Sequence, residues 1–144
     1  IDASGQRTEY GYDEVSNKVL QRDALGRVTR WEYDDLGRQA ARILPLGQRE
    51  TRAYDANGNL VAETDFNGRS TVHRYDVNDR LVETRHADGG GFVNAYSPTG
   101  KIVSTQAPEG TTRYTFDLRD RMLSVEHPDG VGIVYAYDPA GNRT

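Results

Sequence analysis

One pattern recurs along this chain at a nearly fixed interval and restricts what it can fold into. An aromatic residue followed by an acidic or hydroxyl residue appears as Tyr12-Asp13, Tyr33-Asp34, Tyr54-Asp55, Tyr75-Asp76, Tyr96-Ser97, Phe116-Asp117 and Tyr137-Asp138. The step is 21 residues five times and 20 once, the missing residue falling between Gly110 and Phe116. Self-similarity at this period marks a tandem array, in which each unit is too small to bury a face alone and must stack on its neighbours. We therefore read residues 1–144 as a single array of about seven repeats. Such a chain has little room for the unique constellation an active site needs, so no enzymatic activity is expected.

Two glycine turns divide each repeat. The first reads Asp-x-x-Gly, with Gly37, Gly58, Gly100 and Gly141 in place and Ser16, Asp79 and Asp120 as departures. The second keeps glycine in every copy, at Gly5, Gly26, Gly47, Gly68, Gly89, Gly110 and Gly130. All five prolines, Pro45, Pro98, Pro108, Pro128 and Pro139, stand two residues before a turn glycine. That is position i+1 of a type I turn, where the proline ring presets φ. Asp or Ser at i can bond back to the turn amides, and glycine at i+3 accepts the positive φ of a bulged hairpin.

Between turns run segments of six or seven residues, about 20 Å when extended, the length of an ordinary strand. Those ending at the aromatic pair alternate: Val131, Ile133, Tyr135 and Tyr137 share one face, as do Thr29, Trp31 and Tyr33. In the other half-repeat two apolar residues follow the turn directly, as in Leu60-Val61, Leu81-Val82 and Ile102-Val103. By simple alternation these point to opposite faces. The expected fold is all-β, a run of about thirteen antiparallel strands in hairpins, with each ring of the aromatic column lying over the Leu or Val of an intervening strand.

Composition narrows the functional classes. With 35% hydrophobic residues and a mean hydropathy of −0.79, the core should be thin. A net charge of −4 is spread through every repeat, so no basic stripe points to nucleic acid. Cysteine is absent, which excludes a disulfide framework and a thiolate metal site. No apolar run approaches the roughly 20 residues of a membrane helix, so no membrane is expected. The chain starts and stops inside repeats, and we expect it to be a piece of a longer array.

The carboxylate column Asp13, Asp34, Asp55, Asp76, Asp117 and Asp138 fits turn capping as well as calcium. Calcium wants several oxygens converging in one loop, whereas each turn offers one or two. His86 and His127 occupy equivalent turn positions two repeats apart and cannot share a metal, and His73 takes a sheet-face position. Gly89-Gly90-Gly91 lacks the strand-loop-helix setting of a phosphate loop. We expect no cofactor and no metal. Tyr10, Trp31, Tyr114 and Tyr135 stand two residues before the column aromatics and could form a ligand-facing surface for glycan. Exposed rings would favour that use; buried rings would favour a wall.

These residues resemble the Rhs or YD-repeat family, whose repeat runs close to Tyr-Asp-x-x-Gly-Arg-Leu. The matching stretches are Tyr33-Asp34-Asp35-Leu36-Gly37-Arg38, Tyr54-Asp55-Ala56-Asn57-Gly58-Asn59-Leu60 and Tyr137-Asp138-Pro139-Ala140-Gly141-Asn142. The resemblance implies a curved spiral sheet that closes, over many repeats, into a hollow shell. In bacterial Rhs proteins and insecticidal toxin complexes such a shell encloses a C-terminal toxic polypeptide; in teneurins a related barrel belongs to an adhesion protein. It thus implies a secreted or cell-surface structural segment whose partner is an enclosed toxin, with an adhesive or glycan-binding module as the alternative. Asp138-Pro139-Ala140-Gly141 looks like part of the aspartyl self-cleavage site of related shells, but its phase within the repeat identifies it as one more turn. Open sheet edges near Ile1 to Tyr12 or Val131 to Tyr137 are expected to promote self-association.

Overall fold

The computed structural model describes residues 7–144; Gly5 and the N-terminal part of the first expected edge lie outside them. Thirteen strands succeed one another: β1 (Glu9–Tyr12), β2 (Lys18–Arg22), β3 (Val28–Tyr33), β4 (Gln39–Ile43), β5 (Arg49–Tyr54), β6 (Leu60–Thr64), β7 (Ser70–Tyr75), β8 (Leu81–His86), β9 (Gly91–Tyr96), β10 (Ile102–Ala107), β11 (Gly110–Phe116), β12 (Met122–Glu126) and β13 (Gly132–Val134). Their order in the sheet is their order in the sequence, without a crossover. Among the described residues there is no helix. The chain forms two compact units, the first ending at Val72 and the second beginning at His73 within β7. Both are built from the same hairpins.

Each regular hairpin closes in the same way. In the turn at Asp34, the Asp34 amide donates to the Arg38 carbonyl at 2.9 Å and the Gly37 amide donates back to the Asp34 carbonyl at 2.9 Å. The residue at i+3 is left with positive φ, 75° at Gly37, 96° at Gly58 and 79° at Gly68. Ser16, Asp79 and Asp120, the three departures from glycine, take the same conformation, with φ of 71°, 57° and 57°. Tertiary closure of the hairpin therefore overrides the preference of these side chains. Two results should ensue. Ser16→Gly should raise stability by about 0.5–1 kcal/mol, because glycine enters this region without a Cβ penalty. Gly68→Val should lower it by roughly 1–3 kcal/mol. No atom lies within 4 Å of a Cβ built at Gly68, so the cost there is backbone strain alone. Urea melts of the two variants beside Arg69→Lys would check this, and equal midpoints for all three would contradict the turn assignment.

The single 20-residue step has a structural cause. In β10–β11 Ala107 pairs directly with Gly110, leaving Pro108-Glu109 as a two-residue loop. The residue that comes after the turn glycine elsewhere, such as Arg69 after Gly68, is the one missing. Proline still occupies i+1 and the glycine still i+3, now inside β11 with φ 132°.

The pairing also contains a feature that period-two reading does not show. Where the first-turn hairpins meet, the register slips by one: Gly11 pairs Leu20 but Tyr12 pairs Lys18, Glu32 pairs Ala41 but Tyr33 pairs Gln39, and Ala53 pairs Ala62 but Tyr54 pairs Leu60. The same slip occurs at Tyr96 and Phe116. Val19, Ala40, Val61, Val103 and Leu123 are thus the extra residues of β-bulges. The expectation that the paired apolar residues point to opposite faces rested on unbroken alternation, and the bulge breaks it at the second residue.

Coverage is thin, as the composition implied. Among the described residues only Ala41 and Thr84 are buried, at 1% and 5% exposure. β7 alternates strictly between a half-buried and an open face, with Thr71, His73 and Tyr75 the more covered side, whereas β13 is exposed throughout. Stability must then come from contacts between adjacent hairpins spread along the array, since the described residues supply no central core.

Candidate functional site: a recurring turn clamp and its aromatic face

The acidic residue that opens most turns is a clamp. Asp34 Oδ1 accepts the amides of Leu36 and Arg38 at 3.0 and 2.9 Å, while Oδ2 accepts Arg38 Nε at 2.7 Å. Asp13, Asp76, Asp117 and Asp23 repeat the scheme, with Asn17, Arg80, Arg121 or Arg27 four positions on. Asp55 and Asp138 hold Asn59 and Asn142 by the amide and by Nδ2. These bonds favour the ionised form. The carboxyls of Asp34 and Asp117 lie below the ordinary value mainly because of the Arg38 and Arg121 amides, and that of Asp76 mainly because of the Arg80 side chain. For Asp55 and Asp138 the side-chain amides of Asn59 and Asn142 are the main cause. At Asp13 and Asp23 partial desolvation opposes the shift, and the bonds from Asn17 and Arg27 outweigh it.

In three repeats the clamp extends to the next hairpin. The Arg38 guanidinium lies 4.6 Å from the centroid of the Tyr54 ring, and its Nη1 donates to the Asp55 carbonyl at 3.2 Å. Arg80 repeats this on Tyr96 and Ser97, at 4.6 and 3.3 Å, and Arg121 stacks on Tyr137 at 4.5 Å. Each tyrosine hydroxyl then donates to a carbonyl of the preceding strand: Tyr54 to Gln39 at 3.2 Å, Tyr96 to Leu81 at 2.8 Å and Tyr137 to Met122 at 2.9 Å. Tyr33 makes the same bond to Lys18 at 3.0 Å. At these three positions a guanidinium lies against the ring of the column aromatic, a partner that the sequence reading had not named. The signal was present in the sequence, since the fourth residue after the one that opens the first turn is Arg38, Arg80 and Arg121 in three repeats, Lys101 in one and Asn17, Asn59 and Asn142 in the others. Tyr96→Phe should cost about 1 kcal/mol for the lost hydrogen bond while the ring stays stacked. A melt equal to that of the parent chain would remove the hydroxyl from the set of stabilising contacts.

The four candidate ligand-facing aromatics are not equally presented. Tyr10 is 53% exposed, whereas Trp31, Tyr114 and Tyr135 are half-buried. Lys18 Nζ sits 4.0 Å from the Trp31 centroid and 5.9 Å from that of Tyr10, and Arg143 lies 5.3 Å from Tyr135. His73 Nδ1 is 3.0 Å from Thr84 Oγ1 on the sheet face, while His86 and His127 lie in exposed second turns. Among the described residues no three acids or histidines converge as a metal site. None of the helix-type spans that would cross a membrane is found among them either.

The RHS Repeat family model matches residues 16–49 and 54–90. No curated protein sequence matches the chain. Among solved structures, the Photorhabdus luminescens Tc holotoxin pore carrying a TccC3 variant superposes with a TM-score of 0.71 at 20% identity, over 95% of this chain. The TcdB2-TccC3-Cdc42 structure gives 0.72 at 19% over 96%, and TcdB2-TccC3 without its hypervariable C-terminal region gives 0.71 at 20% over 96%. In each case the chain spans 9% of the matched chain. At this identity the likeness establishes the fold.

Proposed function

Because the chain belongs to the RHS-repeat family, we propose that it is a non-catalytic wall segment of a shell that encloses a C-terminal toxic polypeptide of its parent chain, in a secreted bacterial toxin of the Rhs or Tc type. One observation carries the reading. The residues that recur are spent on the wall itself: the clamp carboxylates hold their own turns, and Arg38, Arg80 and Arg121 fasten one hairpin to the next. What repeats is the joint between hairpins. The matched structures include TcdB2-TccC3 assemblies, one of them without a hypervariable C-terminal region, which agrees with a wall around a variable cargo.

The test is protection. In the parent protein, the polypeptide downstream of the repeats should resist protease while the shell is intact and become sensitive when a repeat from this segment is deleted. Equal sensitivity with and without the deletion would overturn encapsulation. The adhesive or glycan-binding alternative draws on the exposure of Tyr10 and Tyr12, at 53% and 61%; glycan binding by the intact chain that is lost in Trp31→Ala without unfolding would favour it.

Self-association belongs to the same proposal. Val131, Ile133 and Val134 around β13 are 62%, 49% and 84% exposed, and an exposed apolar strand invites pairing with another copy. Light scattering coupled to gel filtration over a wide concentration range should show a dimer or larger species. A monomer of 16.1 kDa throughout would refute it.

A further inference from the structure

Three turns carry asparagine at the same place, the third residue of the tetrapeptide, and they are geometrically matched. Asn57, Asn67 and Asn78 are all exposed. Their amides donate to the turn carboxylates of Asp55, Asp65 and Asp76 at 2.9, 2.8 and 2.9 Å. The next residue donates its own amide to the carbonyl of that Asp, at 3.2 Å from Gly58, 3.0 Å from Gly68 and 3.1 Å from Asp79. It holds φ of 96°, 79° and 57° in turn. The three differ in the residue after the asparagine: glycine at two, and a residue with a Cβ at the third.

We propose that Asn57 and Asn67 are sites of spontaneous deamidation, gated by opening of their turns, and that Asn78 in the same geometry is protected by the side chain of Asp79. In the reaction the backbone nitrogen of the following residue gives up its proton to solvent base and attacks Asn Cγ. The new N–Cγ bond forms as the Cγ–Nδ2 bond breaks, and Nδ2 leaves as ammonia after taking a proton from water. Water then adds to one of the two carbonyls of the resulting five-membered imide and breaks its bond to nitrogen. The products are aspartate, or isoaspartate with the main chain rerouted through the side-chain carbon. Only water is consumed and no electron is transferred. A substituent on the following residue crowds the attacking nitrogen, and glycine has none.

The closed turn opposes this chemistry, because the Gly68 N–H is aimed at the Asp65 carbonyl and its nitrogen is held away from attack. Reaction therefore proceeds from the locally opened hairpin. Position makes the sites consequential. The Asn57 turn joins β5 to β6 and the Asn67 turn joins β6 to β7, so both lie at the ends of one strand of the first unit. Isoaspartate adds a backbone atom to a loop whose closure depends on bonds of 2.9 and 3.0 Å between Asp65, Arg69 and Gly68. Conversion at both ends would release β6 from its register.

The full chain should be held at mildly alkaline pH, with aliquots digested and mapped by mass spectrometry for the amide-to-acid shift at the three asparagines. We expect conversion at Asn57 and Asn67 and none at Asn78. Asp65→Ala, which removes the acceptor of the Asn67 and Arg69 amides, should speed Asn67 by about tenfold or more, roughly the factor for one such hydrogen bond, and leave Asn57 unchanged. Asp79→Gly, a replacement the positive φ favours, should bring Asn78 to the rate of the other two. Conversion of Asn78 in the parent chain as fast as that of Asn57 and Asn67 would overturn the proposal, as would an Asp79→Gly chain in which Asn78 stays intact. If Asp65→Ala loosens the whole chain, Asn57 accelerates with Asn67, and the Asp79→Gly result then decides.

Discussion

Replacing Gly91 by alanine is expected to lower the unfolding free energy by about 3 kcal/mol, the sum of backbone strain and overpacking each of roughly 1–3 kcal/mol. Gly91 opens β9 opposite Arg85 of β8 and holds φ at 142°. A Cβ built there falls 2.0 Å from the Thr84 carbonyl oxygen and 3.0 Å from the Arg85 Cα. Neither is the end of a flexible side chain, so relief requires the strand to move. Thr84 is one of the two buried residues among those described, and shifting β8 away from β9 would open the best-covered point of the second unit. Gly90→Ala is the control: its Cβ would meet the side chain of Asp88 at 3.1 Å, and φ there is not in the left-handed region. Urea denaturation that places the two variants at the same midpoint would show that the backbone approach between β8 and β9 does not constrain the chain at Gly91.

Acid should unfold the chain steeply. Each clamp carboxyl has its pKa lowered from the ordinary 3.8, so the folded chain holds those protons less tightly than the unfolded one. Their stabilising effect is therefore fully present above about pH 4. It declines as the pH falls through 3.8 and is lost once the pH passes below the lowered folded-state values. Glu32, lowered by the Arg49 side chain, and Glu83, lowered by that of Arg74, act in the same sense from an ordinary value of 4.5. The melting temperature should be flat from neutral pH down to the upper edge of this window and then drop, with Asp34→Asn softening the drop. A melting temperature that does not change well below pH 3.8 would show that the clamps contribute nothing net.

How much of this was legible depends on which interactions are local. The turns were readable because every constraint on them lies within five residues. Proline at i+1, acid at i and glycine at i+3 each act through the chain's own backbone, and even Ser16, Asp79 and Asp120 were identifiable as glycine substitutes by phase. The strands emerged by subtraction, since no segment between turns is long enough for anything else. The bulges beside Tyr33 and Tyr54 were not readable, because a one-residue slip depends on how two strands end at a shared turn and leaves no mark on either alone. The glycine run at Gly89-Gly90-Gly91 could be rejected as a phosphate loop, yet its real constraint, the Thr84 carbonyl beside Gly91, belongs to the neighbouring strand.

The candidate site divides in the same way. That the aromatic and acidic residues recur for structural reasons was determined by the sequence, since a side chain repeated every 21 residues serves the repeat and not a single locus. What covers the rings was decided by tertiary structure. Arg38 reaches Tyr54 across sixteen residues of chain because antiparallel pairing brings one first turn beside the next, a distance that sequence spacing cannot express. Burial was settled at that level too. Trp31, Tyr114 and Tyr135 are half-covered; Lys18 of β2 lies against Trp31 and Arg143, in the bridge to Tyr137 beyond β13, lies against Tyr135, and no second layer packs over them within the described residues. The period of the sequence thus determined the hairpin and its order, through local backbone chemistry, while the docking of hairpin on hairpin decided register, ring packing and exposure, because those depend on groups that meet only after the sheet has formed.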